Sequence, residues 1–200
     1  LNVSQVTSLD SVFADATAFN GNISGWNVSN VSMLRDTFHN ATSFNQDLSN
    51  WNTSNVVAFN STFQNATAFE GLVLNWDVSS ATTMANMFTA TPNFKGAIGG
   101  WDVSNVTDMS SMFQGASRFN TDISDWVVGS VTNMDRMFQD ATVFNQQLNW
   151  WCVDKITAEP TGFGLRSVLA GENMPMWGLC PIRDTLATIT GLPYFKIYFI

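Results

Sequence analysis

Tryptophan recurs at Trp26, Trp51, Trp76, Trp101, Trp126 and Trp151, a spacing of 25 residues with no insertion. Phe13, Phe38, Phe63, Phe88, Phe113 and Phe138 keep the same step, and so do Phe19, Phe44, Phe69, Phe94, Phe119 and Phe144. Aliphatic residues fill further columns, Ile23, Leu48, Val73, Ile98, Ile123 and Leu148 in one and Val31, Val56, Val106 and Val131 in another. A unit of 25 residues is too small to close a core alone, so each must bury its apolar face against the units before and after it. That disfavours a string of independent domains and predicts a stack of coils. Leu1 stands in the tryptophan column, so the chain reads as the C-terminal part of a longer array.

Within a coil, Met109, Met112, Phe113 and Ala116 lie at i, i+3, i+4 and i+7, the apolar stripe of a short helix, and Met134, Met137, Phe138 and Ala141 repeat it. Thr107 and Thr132 precede these stripes as candidate N-caps. The run Phe119 to Trp126 places Ile123 between polar neighbours, as in a half-buried strand. Together these predict an α/β solenoid of the leucine-rich-repeat kind, a right-handed coil with one short parallel strand and one short helix per repeat. Asn20, Asn45, Asn120 and Asn145 predict a buried hydrogen-bond ladder.

The run Trp101-Asp102-Val103-Ser104-Asn105-Val106-Thr107-Asp108-Met109-Ser110-Ser111-Met112-Phe113, followed by Phe119-Asn120, resembles the BspA-like leucine-rich-repeat surface proteins. The segment from Trp151-Cys152-Val153 to Leu179-Cys180-Pro181 resembles the ending of such arrays. The resemblance implies a secreted or surface-attached protein engaged in adhesion and in protein or host contact. Coils with Phe69-Glu70-Gly71 and Phe94-Lys95-Gly96 depart from the pattern by replacing the asparagine after phenylalanine.

The repeat is expected to occupy residues 1–151, a C-terminal cap 152–181, and a tail or linker 182–200. The cap is rich in proline and glycine, and Phe163, Leu165, Leu169 and Trp177 are its expected lid. A bond between Cys152 and Cys180 would pin it, worth about 3 to 4 kcal/mol in the chain-entropy model; two buried free thiols are the alternative. The tail ends Tyr194-Phe195-Lys196-Ile197-Tyr198-Phe199-Ile200, aromatic and β-prone but too short to span a bilayer.

Function is constrained mainly by exclusion. Eight Lys and Arg against 16 Asp and Glu leave a net charge of −8, which disfavours nucleic acid as a partner. No apolar run is long enough for a membrane span. The single His39 falls in a column of unlike residues, and Asp47 and Asp122 lie three coils apart, about 14 Å by strand spacing, too far for a glycosidase pair. The methionine columns are expected in the core and not around a soft metal. Most of the nine Asn-x-Ser/Thr sequons, Asn22 and Asn105 among them, arise from the repeat itself. No catalytic residue, cofactor or metal ligand is therefore expected. The sequence points to a non-enzymatic extracellular or cell-surface module that presents its repeat surface to a protein or glycan; an enzyme or accessory acting on extracellular polysaccharide is the alternative. Expected partner-facing positions are Asn22, Asp47, Leu72, Leu74, Asp122 and Gln147, one or two per coil, with Leu72 and Leu74 forming an apolar patch beside a dip at Ala97 and Gly99.

Overall fold

The computed structural model describes residues 2–182. Coils one to six are residues 1–25, 26–50, 51–75, 76–100, 101–125 and 126–150. They stack in parallel register with residue i against residue i+25. Parallel bridges link Ser8 to Met33, Met33 to Ala58, Ala58 to Thr83, Thr83 to Asp108 and Asp108 to Asn133.

The expected solenoid with a strand and a helix in every repeat is overturned. Among the described residues the only helix is a 3-10 turn at Gly171–Asn173, and the parallel pairing consists of isolated bridges without a sheet. The supposed helix is a series of turns. In coil five the N–H groups of Met109, Ser111, Phe113 and Gly115 donate to the carbonyls of Asn133, Asp135, Met137 and Gln139 in coil six. The alternate donors Met112, Gln114 and Ala116 turn back to Met109, Ser111 and Phe113, three residues earlier. An α-helix is about 10 to 12 Å across with its side chains, whereas coils bonded through their backbones sit about 4.8 Å apart. Helices cannot be packed at that spacing, so the backbone exchanges i→i−4 bonds for bonds between coils.

Two left-handed residues per coil make this possible. Positive φ recurs at Ser11, Asp36, Ser61, Asn86, Ser111 and Arg136, and again four residues on at Asp15, Asn40, Asn65, Ala90, Gly115 and Asp140. The stripe is buried nonetheless: Met109, Met112, Phe113 and Ala116 are all fully enclosed.

The supposed strand is likewise bent. Ser124 N–H donates to the Asp122 carboxylate at 3.0 Å and Trp126 N–H to the Ile123 carbonyl at 3.1 Å, folding the segment into a turn. Ile123 still points inward while Asp122 is exposed. Nor do the threonines cap helices: the hydroxyls of Thr107 and Thr132 donate to the carbonyls of Thr82 and Thr107, one coil earlier.

The core is built from ring columns. Phe38 stacks on Phe63 at 5.3 Å between centroids and 4° between planes, and Trp51 on Trp76 at 6.3 Å and 5°. Each such pair adds about 0.5 to 1.5 kcal/mol beyond the area it buries. Indole N–H groups are satisfied across coils, Trp76 bonding the Leu48 carbonyl at 2.9 Å and Trp126 the Ile98 carbonyl at 3.2 Å. Buried threonines act the same way, Thr62 donating to the Leu34 carbonyl and Thr91 to that of Phe63.

Beyond coil six the bonding pattern persists with a shifted register. Arg136, Phe138 and Asp140 donate to the carbonyls of Thr161, Phe163 and Leu165, steps of 25 where the preceding coils step by 24, so one residue has been inserted. Phe163 then breaks the parallel ring stack, lying edge-on to Phe138 at 89° and meeting Trp177 at 85°. Phe163 and Leu169 are buried, but Leu165, expected in the lid, is 51% exposed because the shifted register sets it against Asp140, outside the inward columns. Cys152 and Cys180 lie at bonding distance with their Cα atoms 4.0 Å apart, and Arg166 pairs with Asp140 across the same junction. The aromatic segment 194–200 lies outside the described residues.

Candidate functional site

The expected partner-facing positions are all exposed: Asn22, Asp47, Leu72, Leu74, Asp122 and Gln147. Each flanks a buried aliphatic residue, so the alternation that suggested strands accounts for their exposure although the strands are missing. Half of them are structural at the same time. Asn22, Asp47 and Asp122 each accept the N–H of the residue two further on, Ser24, Ser49 and Ser124. A parallel column does the same with Asn27, Asn52, Asp77 and Asp102 against Ser29, Ser54, Ser79 and Ser104. These bonds hold the Asp47, Asp77, Asp102 and Asp122 carboxyls below the usual aspartate range, since donation from serine N–H and hydroxyl groups favours the ionised form.

The asparagine ladder exists at the surface and not in the core. The Asn20 side-chain oxygen accepts from the Asn45 N–H, and that of Asn120 from the Asn145 N–H, with Asn20, Asn120 and Asn145 exposed. Where the asparagines are replaced, Asn45 accepts from the Glu70 N–H and a Lys95–Glu70 ion pair at 3.2 Å bridges coils three and four.

Coils three and four carry the departures that matter. Leu72 and Leu74 are 41% and 58% exposed. Beside Leu74, at the same position of coil four, stands Gly99, where any side chain would overlap the Asp122 carbonyl oxygen. Gly100 follows, with open space where a side chain would project, in a column that holds Gly25, Asn50, Asn75, Asp125 and Trp150 in the other coils. The missing side chains leave an open cleft of about 520 Å³ lined by Gly99, Gly100, Trp101, Asp102, Ser104, Asp125 and Val127. The sequence signalled the dip at Gly99, but not its extension onto Trp101 and Asp102.

Trp101 is unlike its column. Trp51, Trp76, Trp126 and Trp151 each donate an indole N–H to a carbonyl 28 residues earlier; Trp101, 7% exposed, keeps its N–H buried without an acceptor. The corresponding carbonyl would be that of Val73, two residues beyond Gly71, which takes a φ of +102°.

His39 is half-buried with its ring 3.7 Å from the Asp36 carboxylate. Cys152, Asp154 and Cys180 cluster within 4.8 Å, but both sulfurs are committed to each other.

The fold and this surface define a tandem-repeat protein whose distinguishing chemistry sits at coils three to five. Two successive overlapping stretches, residues 1–81 and 71–168, match the family described as Mycoplasma protein of unknown function, DUF285, and the chain belongs to that family. No curated protein and no solved structure matches it.

Proposed function

We propose that the chain is a non-enzymatic interaction module, displayed outside the cell or on its surface, that binds a protein or a glycan through its stacked coils. The observation that carries this reading is the exposed leucine pair of coil three. Leu72 and Leu74 stand in columns that hold Asn22, Asp47, Asp122 and Gln147, and Ser24, Ser49, Ser124 and Asn149, with the small Ala97 and Gly99 in coil four. Exposed apolar groups rimmed by polar ones favour association. The resemblance to BspA-like surface proteins supports an adhesive role, and a bonded cysteine pair suits an oxidising compartment. No helix among the described residues is long and apolar enough to cross a membrane. An enzyme acting on polysaccharide is the competing class; repetition makes equivalent positions, while catalysis needs a unique constellation.

The test is a glycan array and a pull-down from extracellular protein, run beside a polysaccharide-hydrolase panel. Capture by the wild type that falls about tenfold or more in Leu72→Ser/Leu74→Ser, at unchanged Tm, is the expected result. Hydrolysis of any polysaccharide, or capture indifferent to the substitution, overturns it.

A further inference from the structure

The turns that open coils three and four each bring two side chains together: the Ser54 hydroxyl donates to Asn52 Oδ1 at 2.8 Å and the Ser79 hydroxyl to Asp77 Oδ1 at 2.7 Å. The same turn recurs after coil six, where Ile156 N–H donates to the Val153 carbonyl at 3.0 Å as Val106 N–H does to that of Val103. Here the two places hold Cys152 and Asp154, so a turn that elsewhere closes on serine sets a carboxylate oxygen 3.9 Å from a sulfur. A third group arrives from the cap: Cys180 Sγ, Cys152 Sγ and an Asp154 oxygen all lie within 4.8 Å of one another. The sulfurs are also held as neighbours without the bond between them. Val153 N–H donates to the Leu179 carbonyl at 2.9 Å, and Gly178 N–H to the carbonyls of Val153 at 3.2 Å and Ile156 at 2.8 Å. Breaking the disulfide therefore leaves two thiols side by side. The coil below leaves them uncovered: Gly129 stands where that column holds Ser29, Ser54, Ser79 and Ser104, and Cys152 Sγ is 3.8 Å from the place its Cβ would take. Asp154 and Cys180 are exposed.

We propose that the reduced cap is a binding site for one zinc ion, held by the thiolates of Cys152 and Cys180 and the carboxylate of Asp154, with water in the fourth place. Reduction by a phosphine passes two electrons to the S–S bond, which breaks to give two thiols while the phosphine takes up an oxygen from water. Zinc then displaces the two thiol protons to solvent. Two thiolates and a carboxylate suit this ion: at about 2.3 Å from each sulfur, a tetrahedral zinc needs the sulfurs about 3.8 Å apart, within reach of the two side chains. Calcium and magnesium take oxygen donors instead. The clasp at the C-terminal end thus closes in two ways, by oxidation or by metal, and neither depends on what the coils bind.

The full chain, reduced with a phosphine under argon and freed of metal, is titrated with zinc against a chromophoric chelator. A single equivalent should bind, shield both thiols from iodoacetamide, and raise the Tm of the reduced chain while leaving that of the oxidised chain unchanged. Cobalt in place of zinc should show the charge-transfer absorption of thiolate ligation, and magnesium should shield neither thiol. Asp154→Asn should weaken zinc at least about tenfold and still form the disulfide when oxidised. Cys152→Ser/Cys180→Ser should lose the site, and Asp15→Asn, which copies Asn40 and removes a like charge far along the stack, should bind as wild type does. Zinc bound equally well by the double serine variant, thiols that alkylate at the same rate with and without zinc, or indifference to Asp154→Asn overturns the proposal.

Discussion

At the scale of single residues, short polar side chains do the work that regular secondary structure does elsewhere. Asp77 and Asp102 close turns by accepting serine N–H groups, and asparagine fills the same role at Asn27 and Asn52. The two differ in their response to acid. Aspartates held below their ordinary range contribute stability that is present above the unfolded-state value near 3.8 and is lost as pH falls through the lower folded value. The expected outcome is a urea midpoint that is flat at neutral pH and declines below about pH 4. In Asp77→Asn/Asp102→Asn that acid decline should be shallower, because asparagine accepts the same bond without titrating; an identical decline would place the acid sensitivity elsewhere.

At the scale of the element, the left-handed positions decide why an apparently helical stripe is not a helix. The relevant columns hold Ser11, Asp36, Ser61, Asn86, Ser111 and Arg136, and Asp15, Asn40, Asn65, Ala90, Gly115 and Asp140. Asn, Asp and Gly visit the left-handed region most cheaply, so the second of these columns, where they hold five of six places, was a legible signal against a helix. The apolar spacing outweighed it, since i, i+3, i+4, i+7 reports which residues face inward and both conformations bury the same set. Gly115, at φ +71°, has only ordinary contacts where a Cβ would sit, the nearest being Ala90 Cα at 3.6 Å. Backbone conformation and not space therefore sets its tolerance. Gly115→Asn should be nearly neutral, and Gly115→Val should cost about 1 to 2 kcal/mol or more in thermal or chemical unfolding. If both variants unfold alike, the left-handed turn is not what holds this segment.

At the scale of the whole molecule, each coil is bonded to its neighbours, and within the described residues the first coil is covered on one side only. Phe13, Phe19 and Trp26 in the first coils are half-buried, whereas Phe63, Phe69 and Trp76 are enclosed. Such a stack opens from its ends, with the centre the last to exchange. The C-terminal end is held by the edge-on Phe163, the Arg166–Asp140 pair and the Cys152–Cys180 link. Reduction should lower stability by about 3 to 4 kcal/mol in the chain-entropy model. Hydrogen exchange should then accelerate first in residues 151–180 and coil six while coils three and four stay protected. Uniform acceleration would mean that the chain unfolds as one block.

The 25-residue period, the inward columns of Trp, Phe, Met and Ile, the cysteine pairing and the exposure of Leu72 and Leu74 were all readable in the chain, because side-chain burial leaves its mark on composition at fixed spacing. The helix, the strand, the buried asparagine ladder and the place of Leu165 in the lid were not. Backbone hydrogen bonds carry no sequence label: the same N–H of Phe113 can turn back along its own coil or reach Met137 in the next, and only the spacing of stacked coils chooses between them. The cleft belongs to the same class of fact. Gly99 and Gly100 are two small residues in the sequence, and become an acidic cleft only when the packing of coils four, five and six sets them beside Trp101, Asp102, Asp125 and Val127.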